Sequence, residues 1–175
     1  MDITQRKKVS DNSLPCFVLP MCAEAMIVPS VTVAEVIDYR PPEPLPGAPA
    51  WFMGVVDWRG IAIPVISFER FNHLTESRQG SQSRLAIMNV VSNQHYMRYF
   101  SVVIQGNPKP VKIMADTIEQ QDDSMSDGIA MKVLYAGQNA MIPDMDAIER
   151  SILTCHQWSK RFNIQASVPS SMDDD

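Results

Sequence analysis

Residues 54–66 read Gly54-Val55-Val56-Asp57-Trp58-Arg59-Gly60-Ile61-Ala62-Ile63-Pro64-Val65-Ile66. Two apolar runs meet at Arg59-Gly60, where glycine tolerates the positive φ that a tight hairpin demands. The stretch therefore predicts two strands joined by a short turn. Pro64 lacks a backbone donor, so its strand is expected at a sheet edge or with a bulge there. Phe68–Phe71 closes the segment as a short helix. Upstream, Arg40–Pro49 carries five prolines in ten residues. Proline is excluded from helix interiors and central strands, so this is a stiff, extended connector. Pro49 is expected to open a single helical turn through Met53.

Farther out, Cys16–Leu19 and Ala25–Val28 are short apolar runs bounded by proline and fit a strand pair. Val31–Tyr39 admits two readings. One is a strand with Val31, Val33 and Glu35 on one face and Ala34 and Val36 on the other. The other is a helical turn followed by a strand. Leu85–Val91, Tyr99–Gln105, Val111–Met114, Ala130–Tyr135 and Ala140–Pro143 read as further strands. Gly106–Pro110 is a turn, and Thr75–Ser83 and Gln120–Gly128 are polar loops. Met145–Cys155 is the clearest helix, with Met145, Ile148 and Ile152 on one face. Asp144 or Asp146 caps it, and Asp146 with Glu149 has capping-box spacing. Many short strands between turn signals make the chain mainly β and point to barrels. Residues 1–13 read as a flexible arm, 14–166 as the folded domain and 167–175 as a disordered acidic tail.

Composition narrows the function. At 175 residues with 45% hydrophobic side chains, the chain buries a core without metal or disulfide staples. A net charge of −5 argues against a nucleic-acid partner, which wants a basic face. The longest apolar stretches fall far short of the roughly 20 residues that span a bilayer. Met1–Lys8 leads into no apolar core, so it is not a signal peptide, and the expected location is cytoplasmic. Cys16, Cys22 and Cys155 lack metal-site spacing and are expected as small buried side chains in a reducing compartment. No cofactor is expected.

Catalytic patterns are missing. There is no nucleophile elbow, phosphate loop or dinucleotide fingerprint. His73 and His95 fall at loops or strand ends and read as solvated. His156 adjoins Cys155, but neighbours on a helix do not face each other. Asp144 and Asp146 are explained by capping, and Asp122 and Asp123 by a solvated loop. Met125, Met131, Met141 and Met145 are core filler or an adaptable binding surface. Trp51 and Trp58 are core anchors if buried and interface anchors if exposed. Arg59 is either a solvated turn arginine or one whose planar fork holds a carboxylate and fixes a binding surface.

Residues 31–66 resemble the CheW-like domain. That pattern has an apolar-x-Glu-apolar strand, a proline-rich link, Pro-x-x-apolar-x-Gly, Arg-Gly, then a strand ending in Pro-Val and a helix. Here these are Val33-Ala34-Glu35-Val36, the Pro41–Pro49 link, Pro49–Gly54, Arg59-Gly60 and Ile63-Pro64-Val65-Ile66. The resemblance implies two SH3-like five-stranded barrels packed together, with no catalytic activity. It implies an adaptor between the cytoplasmic tip of a chemoreceptor and the regulatory domain of a CheA-type histidine kinase. Val33, Glu35, Arg59 and Gly60 match the receptor-facing positions, and Gly54 a kinase-facing one. Glu35 is then the partner of Arg59, and swapping both charges is expected to rescue the binding that either single swap loses. Asp57-Trp58 departs from the usual Asn-Leu before Arg-Gly. The segments Tyr99–Val111 and Ile142–Asp146 look more like the ChpC-like members of pilus-linked chemosensory systems. The alternatives are a CheW-like module for another signalling or pilus-regulating partner, and a hydrolase using Cys16 or Cys22.

Overall fold

The computed structural model describes residues 12–76, 78–92, 97–121 and 126–155. Most of the expected arm, the acidic tail, Asp122, Asp123, Met125, His95 and His156 lie outside the described residues.

Eleven strands and two α-helices are present among the described residues. In order they are β1 (Leu14–Leu19), β2 (Ala25–Pro29), β3 (Val33–Asp38), β4 (Phe52–Trp58), β5 (Ile61–Ile66), α1 (Phe68–Phe71), β6 (Arg84–Asn89), β7 (Tyr99–Ile104), β8 (Lys109–Ile113), β9 (Ile118–Gln120), β10 (Ile129–Tyr135), β11 (Gln138–Pro143) and α2 (Met145–Thr154). They form two curled sheets, one ordered β8-β1-β2-β11-β10-β9 and the other β3-β6-β7-β5-β4. The chain starts in the first sheet, crosses to build all of the second, and returns. One sheet has six strands because the three-residue β9 pairs with β10. A strand that short leaves no periodic signal.

Most strands are apolar on both faces, and the alternation distributes them between cores. In β6, Leu85 and Ile87 point into the second lobe, whereas Ala86 and Met88 join a central core. In β2, Ile27 enters the first lobe, and Met26 and Val28 the central core. The central core thus takes one face from each sheet. It also takes Phe68 and Phe71 of α1 and Ile148 and Ile152 of α2. Three buried polar side chains clamp the same junction. Glu69 accepts from the Cys22 N–H at 3.1 Å. Asn72 Oδ1 accepts from the Gly128 N–H at 2.9 Å, and the Glu149 carboxylate holds the Val91 and Ser92 N–H groups.

Several local expectations are corrected. Residues 49–52 make a β-turn, with the Phe52 N–H donating to Pro49 O at 2.9 Å, and Met53 is already in β4. Pro64 is neither at a sheet edge nor at a bulge. It pairs with Val55, and its donorless side faces β7 where the parallel ladder has not yet begun at Val65. For residues 31–39 the second reading holds, a 3-10 turn over Ser30–Thr32 leading into β3. Asp144 caps α2 by accepting from the Ala147 N–H at 2.9 Å. Glu149 is not part of a capping box, because its carboxylate is drawn away to Val91 and Ser92.

Candidate adaptor site at the β4–β5 hairpin

Only two residues join β4 to β5. Arg59 has φ 53 and Gly60 φ 77, so both central positions are left-handed, as a type I′ turn requires. Asp57 Oδ1 accepts from the Gly60 N–H at 3.3 Å, which stabilises the turn. Glycine is at ease in this conformation, but arginine is strained by roughly 1 kcal/mol. The strained residue is the one whose side chain projects from the hairpin tip.

A β-bulge delivers the partner. Val33 pairs with Met88 and Glu35 with Ile87, so Ala34 is the extra residue. The insertion resets the alternation. Val33 and Val36 consequently share a face against the central core. Glu35, two residues from Ile37 of the second-lobe core, takes the opposite face. The expectation that Val33 and Glu35 share a face is overturned by this bulge.

One oxygen of Glu35 organises the tip. Oε2 accepts from Arg59 at 2.9 Å and from Trp58 Nε1 at 2.8 Å. The Arg59 guanidinium sits 4.9 Å from the Trp58 ring centroid, within cation–π range. Trp58 is buried, and Tyr99 meets it edge-on at 4.9 Å. The Arg59 side chain is 69% exposed and that of Glu35 35%. An ion pair this exposed adds at most about 1 kcal/mol of stability. Its consequence is orientation: a solvent-facing guanidinium is held in one place. The cluster also ties β3 to β4, the two edge strands of their sheet, assisted by Arg40 donating to the Asp57 carbonyl at 2.9 Å.

The structure therefore brings Glu35, Arg59 and Gly60 together, and it puts Val33 on the other face of β3. Gly54 lies apart, buried with φ +141 under the proline-rich connector. A Cβ there would stand 2.2 Å from the Glu43 carbonyl oxygen. Trp58, read from the sequence as a core or interface anchor and as a departure from the motif, joins the site by its bond to Glu35. Its signal is an aromatic ring with a polar N–H beside the Arg-Gly turn.

Other chemistry is sparse. Cys16 is buried, and burial raises its thiol pKa above the ordinary value, which disfavours a nucleophilic thiolate. Cys155 is buried, Cys22 half-buried and His73 exposed. Met141 is core, Met145 packs against it, and Met131 is 36% exposed. Among the described residues no group of three or more His, Cys, Asp or Glu is placed to hold a metal. No helix among them is long and apolar enough to cross a membrane.

The family model described as CheW-like domain matches residues 15–152. No curated protein matches the sequence at a significant level. Among solved structures, the scaffolding protein TtCheW from Thermoanaerobacter tengcongensis superposes with a TM-score of 0.65 at 16% identity. The superposition covers 75% of this chain and 84% of that one.

Proposed function

Because the chain belongs to the CheW-like domain family, we propose that it is a non-catalytic, cytoplasmic adaptor in chemosensory signalling. It couples the cytoplasmic tip of a chemoreceptor to the regulatory domain of a CheA-type histidine kinase. The observation that carries this reading is the Glu35 carboxylate holding an exposed Arg59 directly, with Trp58 Nε1 bonded to the same oxygen. A pre-oriented arginine is suited to a carboxylate on a partner. Glu35, Arg59 and Gly60 form the receptor-facing tip, with Val33 nearby on the same strand as Glu35. Gly54 contributes to the kinase-facing side by seating the Glu43–Pro44 backbone. The segments Tyr99–Val111 and Ile142–Asp146, which look like those of the ChpC-like group, favour a position among the divergent pilus-linked members, whose output is twitching motility.

The test is calorimetric titration of the chain with a receptor-tip fragment and with the kinase regulatory domain. Arg59→Gly relieves the left-handed strain while losing the ion pair and the ring contact, terms of similar size. Its stability is expected within about 1 kcal/mol of wild type. Receptor-tip affinity is expected to fall at least tenfold, by about 1.4 kcal/mol. Undiminished affinity would remove Arg59 from the interface.

The double charge swap is expected to fail, contrary to what pairing alone implies. Arginine at position 35 cannot accept from Trp58 Nε1, whose bond to Glu35 is 2.8 Å. Glu35→Gln keeps that acceptor and lowers affinity less than Glu35→Arg. Full rescue by the double swap would show that the tryptophan bond is dispensable.

A further inference from the structure

A second recess lies between the lobes, on elements that carry none of the residues of the hairpin site. The β1–β2 connection supplies Met21 and Glu24, α1 and the turn after it supply Glu69 and Leu74, and β10 and β11 supply Lys132 and Met141. Its volume is about 200 Å³. Small-molecule sites take roughly 300 Å³ or more, so the recess is scaled to one long side chain. Met21, Met141 and Leu74 make its walls apolar. At its base Glu69 is 4% exposed. One Glu69 oxygen, Oε1, accepts from the Cys22 N–H at 3.1 Å. Burying a carboxylate is costly unless its charge is compensated. Two carboxylates and one ammonium line the recess, and Glu24, Glu69 and Lys132 form no ion pair among the described residues.

We propose that this recess receives an arginine side chain from a partner protein, independently of the hairpin tip. The arginine stem packs on Met21 and Met141 while the guanidinium meets the second oxygen of Glu69. Long basic side chains combine an apolar stem with a cationic head, the same combination the recess offers in complement. Arginine suits it better than lysine because a guanidinium is more weakly hydrated and loses less on desolvation. Arginines seated in pockets are also frequent binding hot spots. Lys132, half-buried in the same lining, disfavours a bare cation that brings no apolar stem.

The experiment uses the full chain with ¹³C-methyl-labelled methionines, titrated with N-acetyl-arginine amide. Saturable movement of the Met21 and Met141 methyl resonances is expected. The neutral citrulline amide should leave them in place. Glu69→Gln preserves an acceptor for the Cys22 N–H and is expected to weaken binding at least tenfold. Glu24→Gln, at a less buried position, is expected to weaken it about threefold, and it keeps the question open to test if Glu69→Gln does not fold. The proposal is overturned by equal response to citrulline, by undiminished binding to both variants, or by no saturable movement. Tighter binding of free arginine than of the blocked amide would also overturn it, in favour of a metabolite.

Discussion

Gly54→Ala is expected to destabilise the protein by about 4 kcal/mol, a large part of the 5–15 kcal/mol typical of a domain. Two effects combine. The backbone at φ +141 is one that L side chains rarely adopt, with a strain of about 1–3 kcal/mol. The new methyl carbon would also stand 2.2 Å from Glu43 O and 2.6 Å from Glu43 C. Those atoms belong to backbone, and they cannot swing aside. Glu43 exchanges hydrogen bonds with Val55 on the outer edge of β4, at 2.8 and 2.9 Å, so relief by moving the connector breaks that bridge. Urea denaturation of the variant checks the figure. Gly137→Ala is the control, because Gly137 also has positive φ but meets nothing within 4 Å. It should cost only about 1 kcal/mol. Equal losses for the two variants would show that the Glu43 contact carries no weight. The result also bears on function. Gly54→Asp, a natural choice for probing a kinase contact, is expected to lose binding through loss of fold.

Glu149→Ala should cost about 3 kcal/mol. The carboxylate is 0% exposed, and its two oxygens accept from Val91 N at 2.8 Å and Ser92 N at 2.9 Å. Charge-assisted bonds of this kind contribute about 1.5–3 kcal/mol each in gross terms, offset by desolvation of the carboxylate. Glu149→Gln keeps one acceptor but turns an N–H toward a donor, so a loss of about 2 kcal/mol is expected. Amide exchange at Val91 and Ser92 should accelerate in both variants, ahead of exchange in the core strands. Wild-type stability of the alanine variant would refute a structural role for this clamp. Because α2 follows the first lobe and residues 91–92 belong to the second, the clamp is one of the fastenings that hold the lobes in a single arrangement.

The sequence was informative wherever structure is set by neighbours along the chain. The Arg59-Gly60 turn, the short helix at Phe68–Phe71, the proline-rich connector and the apolar face of α2 all appear where local patterns place them. Glu35 and Arg59 were named from a motif and stand 2.9 Å apart. Failures came where a contact from elsewhere in the chain competes with a local use. Glu149 suits a capping box, but a pair of N–H donors from another lobe outweighs it. Pro49 suits a helical start, but strand pairing from Phe52 onward wins. Val33 and Glu35 obey simple alternation on paper, and one inserted residue, Ala34, separates them.

By itself, then, the sequence determined every strand but the three-residue β9, the hairpin and its arginine, and the absence of any catalytic pattern. Each of these follows from backbone chemistry or residue type within a few positions. Tertiary structure alone decided which face of each strand meets which core, since strands apolar on both faces carry no preference of their own. It also decided that Gly54 must lack a side chain because Glu43 lies on it, and that Trp58 hangs from Glu35. Those outcomes depend on atoms 11 and 23 residues apart in sequence meeting in space, and no local pattern encodes such a meeting.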